Sequence, residues 1–168
     1  MQTYYECRVK YAKEVDGQSK PITEVYLFDA LTYTEAEARA NEEMASYISG
    51  EFQIASIRKA RYAELFQPEG GDRWYKVKVS FLLIDEKSGK EKRVSQTVLM
   101  LASDIKDAYD KTIECMGGDT PDFEINMIDE TKIMDFFPYF SKNDDVKDRE
   151  LSRRPATEAE LSEARNNG

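Results

Sequence analysis

The feature that most constrains this chain is that it says nearly the same thing twice. The segment from Tyr4 to Phe66 returns, with changed residues, between Trp74 and Phe137. Tyr4-Tyr5-Glu6-Cys7-Arg8-Val9-Lys10-Tyr11 aligns with Trp74-Tyr75-Lys76-Val77-Lys78-Val79-Ser80-Phe81 at an offset of 70. The offset becomes 72 through Gly17/Gly89, Lys20/Lys92, Leu27/Leu99, Ala30/Ala102, Ala36/Ala108 and Met44/Met116, and 71 for Phe52/Phe123, Ile54/Ile125, Ile57/Ile128 and Phe66/Phe137. The changes fall in a hairpin and after a helix, where added residues disturb little. Self-similarity of this kind sets the architecture before any local pattern is read. A half of this size buries too little surface to be secure alone, so two fused halves sharing a core is the expected arrangement.

Each half spells the same elements. In the first strand Tyr5, Cys7, Val9 and Tyr11 share one face and Tyr4, Glu6, Arg8 and Lys10 the other; Tyr75, Val77, Val79 and Phe81 oppose Trp74, Lys76, Lys78 and Ser80 in the same way. Period two with one apolar face marks a half-buried antiparallel strand. Turns at Val15-Asp16-Gly17-Gln18 and Lys87-Ser88-Gly89-Lys90 lead to returning strands, Ile22 to Phe28 and Val94 to Leu101. The second of these is the more continuously apolar and is expected to lie more centrally.

A helix follows in each half. Thr34 with Glu37 reads as a capping box, followed by Ala36, Ala40, Met44 and Tyr47-Ile48 at helical spacing, with Gly50 as the stop. Ser103 or Asp104 caps the second helix; its apolar stripe reads Ile105, Ala108, Tyr109, Thr112, Ile113 and Met116, ending at Gly117-Gly118. Third strands run from Phe52 to Lys59 and from Phe123 to Asp129. The segments Tyr62–Phe66 and Ile133–Phe137 are expected to pack on the sheet and cover an edge.

The predicted fold class is therefore α+β, an internal duplication of two β-β-α-β units. These form a pseudo-two-fold domain of antiparallel or mixed sheet with helices packed on it. Residues 1–140 make one domain, with repeat one at 3–66, a linker at 67–72 and repeat two at 73–137. Residues 141–168 hold six basic and seven acidic residues and few apolar ones, the composition of a disordered tail. A short helix from Thr157 to Arg165 would have only Leu161 as a large apolar residue and would need a partner.

Composition removes several functions. The chain has no histidine, the commonest general base near neutral pH and the commonest metal ligand. Ser-His-Asp and Cys-His nucleophile systems are excluded, no metal or other cofactor is expected, and the chain does not read as an enzyme. Cys7 in a strand and Cys115 in a helix read as two buried thiols of a reducing cytoplasm. The opening residues lack a basic region followed by an apolar run, so no signal peptide is expected, nor any membrane association. A net charge of −9 disfavours generic nucleic-acid affinity. The strands nevertheless carry Arg8, Lys10, Lys13, Arg58, Lys59, Arg61, Lys76 and Lys78, a basic face on an acidic chain.

The pattern Met1-Gln2-Thr3-x-Tyr5-Glu6-Cys7-x-Val9-Lys10-Tyr11, with Thr34-Glu35-Ala36-Glu37-Ala38-Arg39, Tyr47-Ile48-Ser49-Gly50-Glu51-Phe52 and Gly71-Asp72-Arg73-Trp74-Tyr75-Lys76-Val77-Lys78-Val79-Ser80-Phe81, resembles the domain-of-unknown-function 4494 family. The resemblance extends over about residues 1–139, to Ile133-Met134-Asp135-x-Phe137-Pro138-Tyr139. It implies a short protein of Bacteroides-type bacteria or their phages and mobile elements. It implies no activity and carries over no site residue.

The chain reads as a non-catalytic binding module, acting on a protein partner or on itself through a sheet edge. The alternative is a protein that sequesters a nucleotide or binds single-stranded nucleic acid. Its candidate site is the outer strand face formed by Tyr4, Arg8, Lys10, Trp74, Lys76 and Lys78, where rings would stack bases and cations hold phosphates. The seam between the halves is a second candidate. Against the first stands the ordinary solvated face of a charged strand, and against the second the ordinary packed core.

Overall fold

The computed structural model describes residues 3–118 and 122–139; the tail and its short helix lie outside the described residues. The described residues form strands β1 (Tyr4–Val15) and β2 (Gln18–Asp29), helix α1 (Tyr33–Tyr47), and strands β3 (Phe52–Ala60) and β4 (Glu64–Phe66). Then come β5 (Arg73–Ile84), β6 (Glu91–Ala102), helix α2 (Ile105–Met116), β7 (Phe123–Glu130) and β8 (Ile133–Phe137). All of these belong to one compact unit, Met1–Phe137. The fold is α+β with two four-stranded mixed sheets, ordered β3-β1-β2-β8 and β4-β6-β5-β7.

Each sheet is built on a long antiparallel hairpin, β1–β2 or β5–β6, with a third antiparallel strand beside its first strand. Asp16 and Gly17 both take positive φ, 53° and 75°, between the paired Val15 and Gln18. This is the twist-matched Asp-Gly turn that short hairpins favour. The short segments 64–66 and 133–137 do lie on sheet edges, but as parallel strands hydrogen-bonded to them. Each also joins the sheet it does not follow in the chain. β4 follows β3 of the first sheet yet pairs with β6 of the second, whereas β8 follows β7 of the second and pairs with β2 of the first. The chain therefore crosses between the sheets twice. With outer neighbours added, both β2 and β6 are interior strands, so Val94–Leu101 is no more central than its counterpart.

The helices pack on the outer faces. Under α1 lie Cys7, Val9, Tyr26 and Phe28 with Ala40 and Met44; under α2 lie Val77, Val79, Val98 and Met100 with Ala108 and Met116. Alanines at the contact line allow the close approach. The cap of α1 sits two residues before the expected Thr34. Thr32 accepts from the Glu35 backbone N–H at 3.2 Å, and the Glu35 carboxylate accepts from Leu31 N–H at 3.0 Å. Thr-x-x-Glu occurs twice here, and the earlier copy wins because it starts the helix directly after β2. Asp104 caps α2, and Asp107 reaches back to Ser103. The stripe of α2 is narrower than its sequence suggests. Ala108, Thr112 and Met116 are buried, but Ile105, Tyr109 and Ile113 stand 58%, 48% and 44% exposed. Cys115, on the flank of the contact line, is exposed as well, so only Cys7 is a buried thiol.

A third apolar cluster joins the inner faces. Tyr4 and Leu27 of one sheet meet Trp74 and Leu99 of the other, with Ile133, Leu65 and Phe136 of the crossing segments around them. Gly71 shows how closely the linker follows the second sheet: a Cβ there would meet the Ala102 backbone at 2.6 Å.

Candidate functional site

The six candidate residues are divided by this packing. The inner face of each sheet is buried at one end and open at the other, so the rings do not form the outward platform expected of them. Tyr4 is 5% and Trp74 2% exposed, with Tyr4 edge-on to Tyr62 and Phe136 and Trp74 edge-on to Phe136. Arg8, Lys10 and Lys78 are exposed and Lys76 is half-buried. Alternation alone put the six on one face; it is silent on what covers that face. Burial, and then the neighbouring Asp29 and Glu64 carboxylates, push the Tyr4 hydroxyl pKa up.

Two grooves open where the chain crosses between sheets. The larger, about 670 Å³, lies between the crossing segment 59–65 and the β6 residues Ser95, Gln96 and Thr97, with Thr3 and Tyr4 at its floor. Its origin is topological. Ala63 N–H donates to the Thr97 carbonyl at 2.8 Å, and β4 pairs with β6 only at Val98–Met100. Upstream of that point the crossing segment leaves β6 for the first sheet. Among the described residues, no strand pairs with the outer side of β6 over Glu91–Thr97. Lys59 and Arg61 on the far wall are exposed and have no ion pair among the described residues.

The smaller groove, about 270 Å³, lies along the second crossing, residues 129–133, and it gathers Arg8 and Lys76 from the candidate set. It is partly filled from within. Glu6 accepts from Tyr62 Oη at 2.8 Å and pairs with Arg58 at 2.9 Å. Burial and the bond to Glu6 raise the Tyr62 pKa, while Arg58 opposes them. Thr131 anchors the crossing by donating both its N–H and its hydroxyl to the Trp74 carbonyl, at 2.9 and 2.8 Å. Lys10 and Lys78 line neither groove.

Elsewhere, Glu24 accepts from Tyr11 at 2.7 Å and from Tyr26 at 2.5 Å. The two phenols, raised in pKa by burial and by this carboxylate, satisfy an acid on the core face of β2. Among the described residues, no group of three or more Asp, Glu or Cys is placed to hold a metal ion. No described helix is long and apolar enough to cross a membrane. Sequence reasoning missed the larger groove and the free β6 edge, since both depend on which strand β4 chooses. The visible signal was the shortness of the Glu64–Phe66 segment beside a strand four times as long.

No curated protein and no solved structure matches this chain. A family model does match, over residues 3–139, and the chain belongs to the family described as Domain of unknown function (DUF4494).

Proposed function

We propose that this protein is a non-catalytic binding module of a bacterial, phage or mobile-element system, that it works in the cytoplasm, and that it acts on a protein partner. One observation carries the reading. The larger groove is walled by a sheet edge that no described strand pairs, and a row of backbone donors and acceptors of this kind is matched along its length by another polypeptide strand. The buried Tyr4 and Trp74 rings leave the nucleic-acid alternative without its stacking platform.

The reading includes an internal duplication of two β-β-α-β units related by a pseudo-two-fold axis. Supporting it are the matched strand orders, the helix contact lines Ala36-Ala40-Met44 and Ala108-Thr112-Met116, and the reciprocal loan of β4 and β8. In this view the site arose by divergence, one copy keeping a sheet edge free.

The test is selection of short peptides from a display library on the intact protein, with counter-selection on Ser95→Pro. Because Thr97 turns its carbonyl outward to Ala63, the alternate residues Ser95 and Arg93 also turn their N–H outward. Proline at Ser95 removes an edge donor and leaves the β5 ladder intact. Should Ser95→Pro melt early, Arg93→Pro replaces it. Peptides that bind the parent and not the proline variant are expected. A library that yields none rejects the reading.

A further inference from the structure

The geometry points to the chemistry of the partner: we propose that the larger groove takes an extended acidic segment, added as a strand beside Glu91–Thr97 of β6. This rests on the protein-partner reading above and narrows it. Three independent features converge on it.

The first is the edge itself. Ser95 and Arg93 present outward backbone groups, and these residues are exposed. The first sheet presents the same kind of edge at β2, upstream of its pairing with β8 at Val25. There Pro21 interrupts it, inside an unbroken β1–β2 pairing. A proline at such a place guards against strand addition. The aligned residue of β6 is Arg93, which keeps its donor.

The second is the space. The crossing segment diverges from β6 above Val98, so a strand laid on Glu91–Thr97 approaches β4 end to end and meets no other described strand. The third is charge. Lys59 and Arg61 line the far wall of the groove, and Glu64 is the acidic residue of its lining. Neither of these two cations has an ion pair among the described residues. Alternate side chains of an added strand point to one face, so carboxylates at every second position would meet this wall. The chain as a whole is negative, so the attraction is local and falls as salt is raised.

The experiment takes peptides recovered by the display selection and measures them by fluorescence anisotropy, each beside a version with every Asp and Glu changed to Asn and Gln. The recovered sequences should be rich in alternate acids, and the amide versions should bind at least about tenfold more weakly at low salt. The protein variant carrying Lys59→Glu and Arg61→Glu, both on an exposed wall, should erase that difference while melting like the parent. Peptides that bind equally well in acid and amide form overturn the acidic assignment and leave the protein-partner reading standing. No edge-dependent peptide at all overturns both. A short oligothymidylate that binds and displaces the peptides assigns the cations to phosphate and likewise overturns the proposal.

Discussion

The two sheets share strand order and helix placement and differ at their free edges and at the grooves beside them. In the first, β2 carries Pro21 upstream of its short parallel partner, and the smaller groove is partly filled by the Glu6, Arg58 and Tyr62 side chains. In the second, β6 carries Arg93 at the aligned place, and the groove is more than twice as large. The scaffold positions that bury apolar area, Met44 and Met116 or Leu27 and Leu99, are identical. The positions at the crossings are not. Residues that hold a shared core are constrained in both sheets, whereas the edges beside the crossings share no such packing and are free to differ.

The comparison breaks most readily at its core. Met44 is fully buried and Met116 is 7% exposed. Met44→Ala and Met116→Ala should each destabilise by about 2–5 kcal/mol, read by urea denaturation, with Met44→Ala the larger. A Met116→Ala protein indistinguishable from the parent would mean that α2 does not seal its sheet as α1 does.

Next in size is the linker. A methyl at Gly71 collides with backbone at Ala102, which has no flexible end to move aside. Gly71→Ala should therefore cost about 1–3 kcal/mol through overpacking. Gly70→Ala is the control for strain without collision, since Gly70 takes a φ of 87° and meets only the tip of Lys111. Equal melting temperatures for Gly71→Ala and the parent would place the linker away from β6.

These effects mark what the sequence made legible. Helix and strand types, the buried faces Tyr5-Cys7-Val9 and Tyr75-Val77-Val79, and the caps near Thr34 and Asp104 follow from periodicity and local hydrogen bonding, which act over a few residues. The site was hardly legible. Tyr4 and Trp74 alternate as surface residues do, and only the packing of sheet on sheet buries them. The groove exists because β4 joins β6, a pairing decided by global topology and by a contact between Ala63 and Thr97. No window of sequence contains that choice.

The smaller groove sharpens the comparison from the other side. Tyr62→Phe removes the hydroxyl that donates to Glu6 and leaves the ring against Tyr4. The expected loss is about 1.5–3 kcal/mol, the net value of a hydrogen bond to a charged group. Peptide binding at the larger groove, whose wall the Tyr62 ring also forms, should change little. A loss of binding as large as that from Ser95→Pro would mean that the hydroxyl, and not the edge, carries recognition.

The last effect concerns a position where the two buried strand faces differ by an ionisable group. Cys7 lies fully buried under α1, and Val77 lies at the aligned place under α2. Burial first, and the neighbouring Glu6 second, push the Cys7 thiol from 9.0 up to about 12. The sign follows from proton binding: between those values the unfolded chain releases the proton and the folded chain keeps it, so the unfolded state is favoured as pH rises. The stability tied to the neutral thiol is complete below pH 9 and is lost progressively towards pH 12. Cys7→Val imports the residue of the other sheet at similar volume. It should shift neutral stability by less than about 1.5 kcal/mol and flatten the alkaline limb of a stability–pH curve. The parent and Cys7→Val differing equally at pH 7 and pH 11 would show that the thiol is not held neutral by burial, and that sheet one is looser under its helix than sheet two.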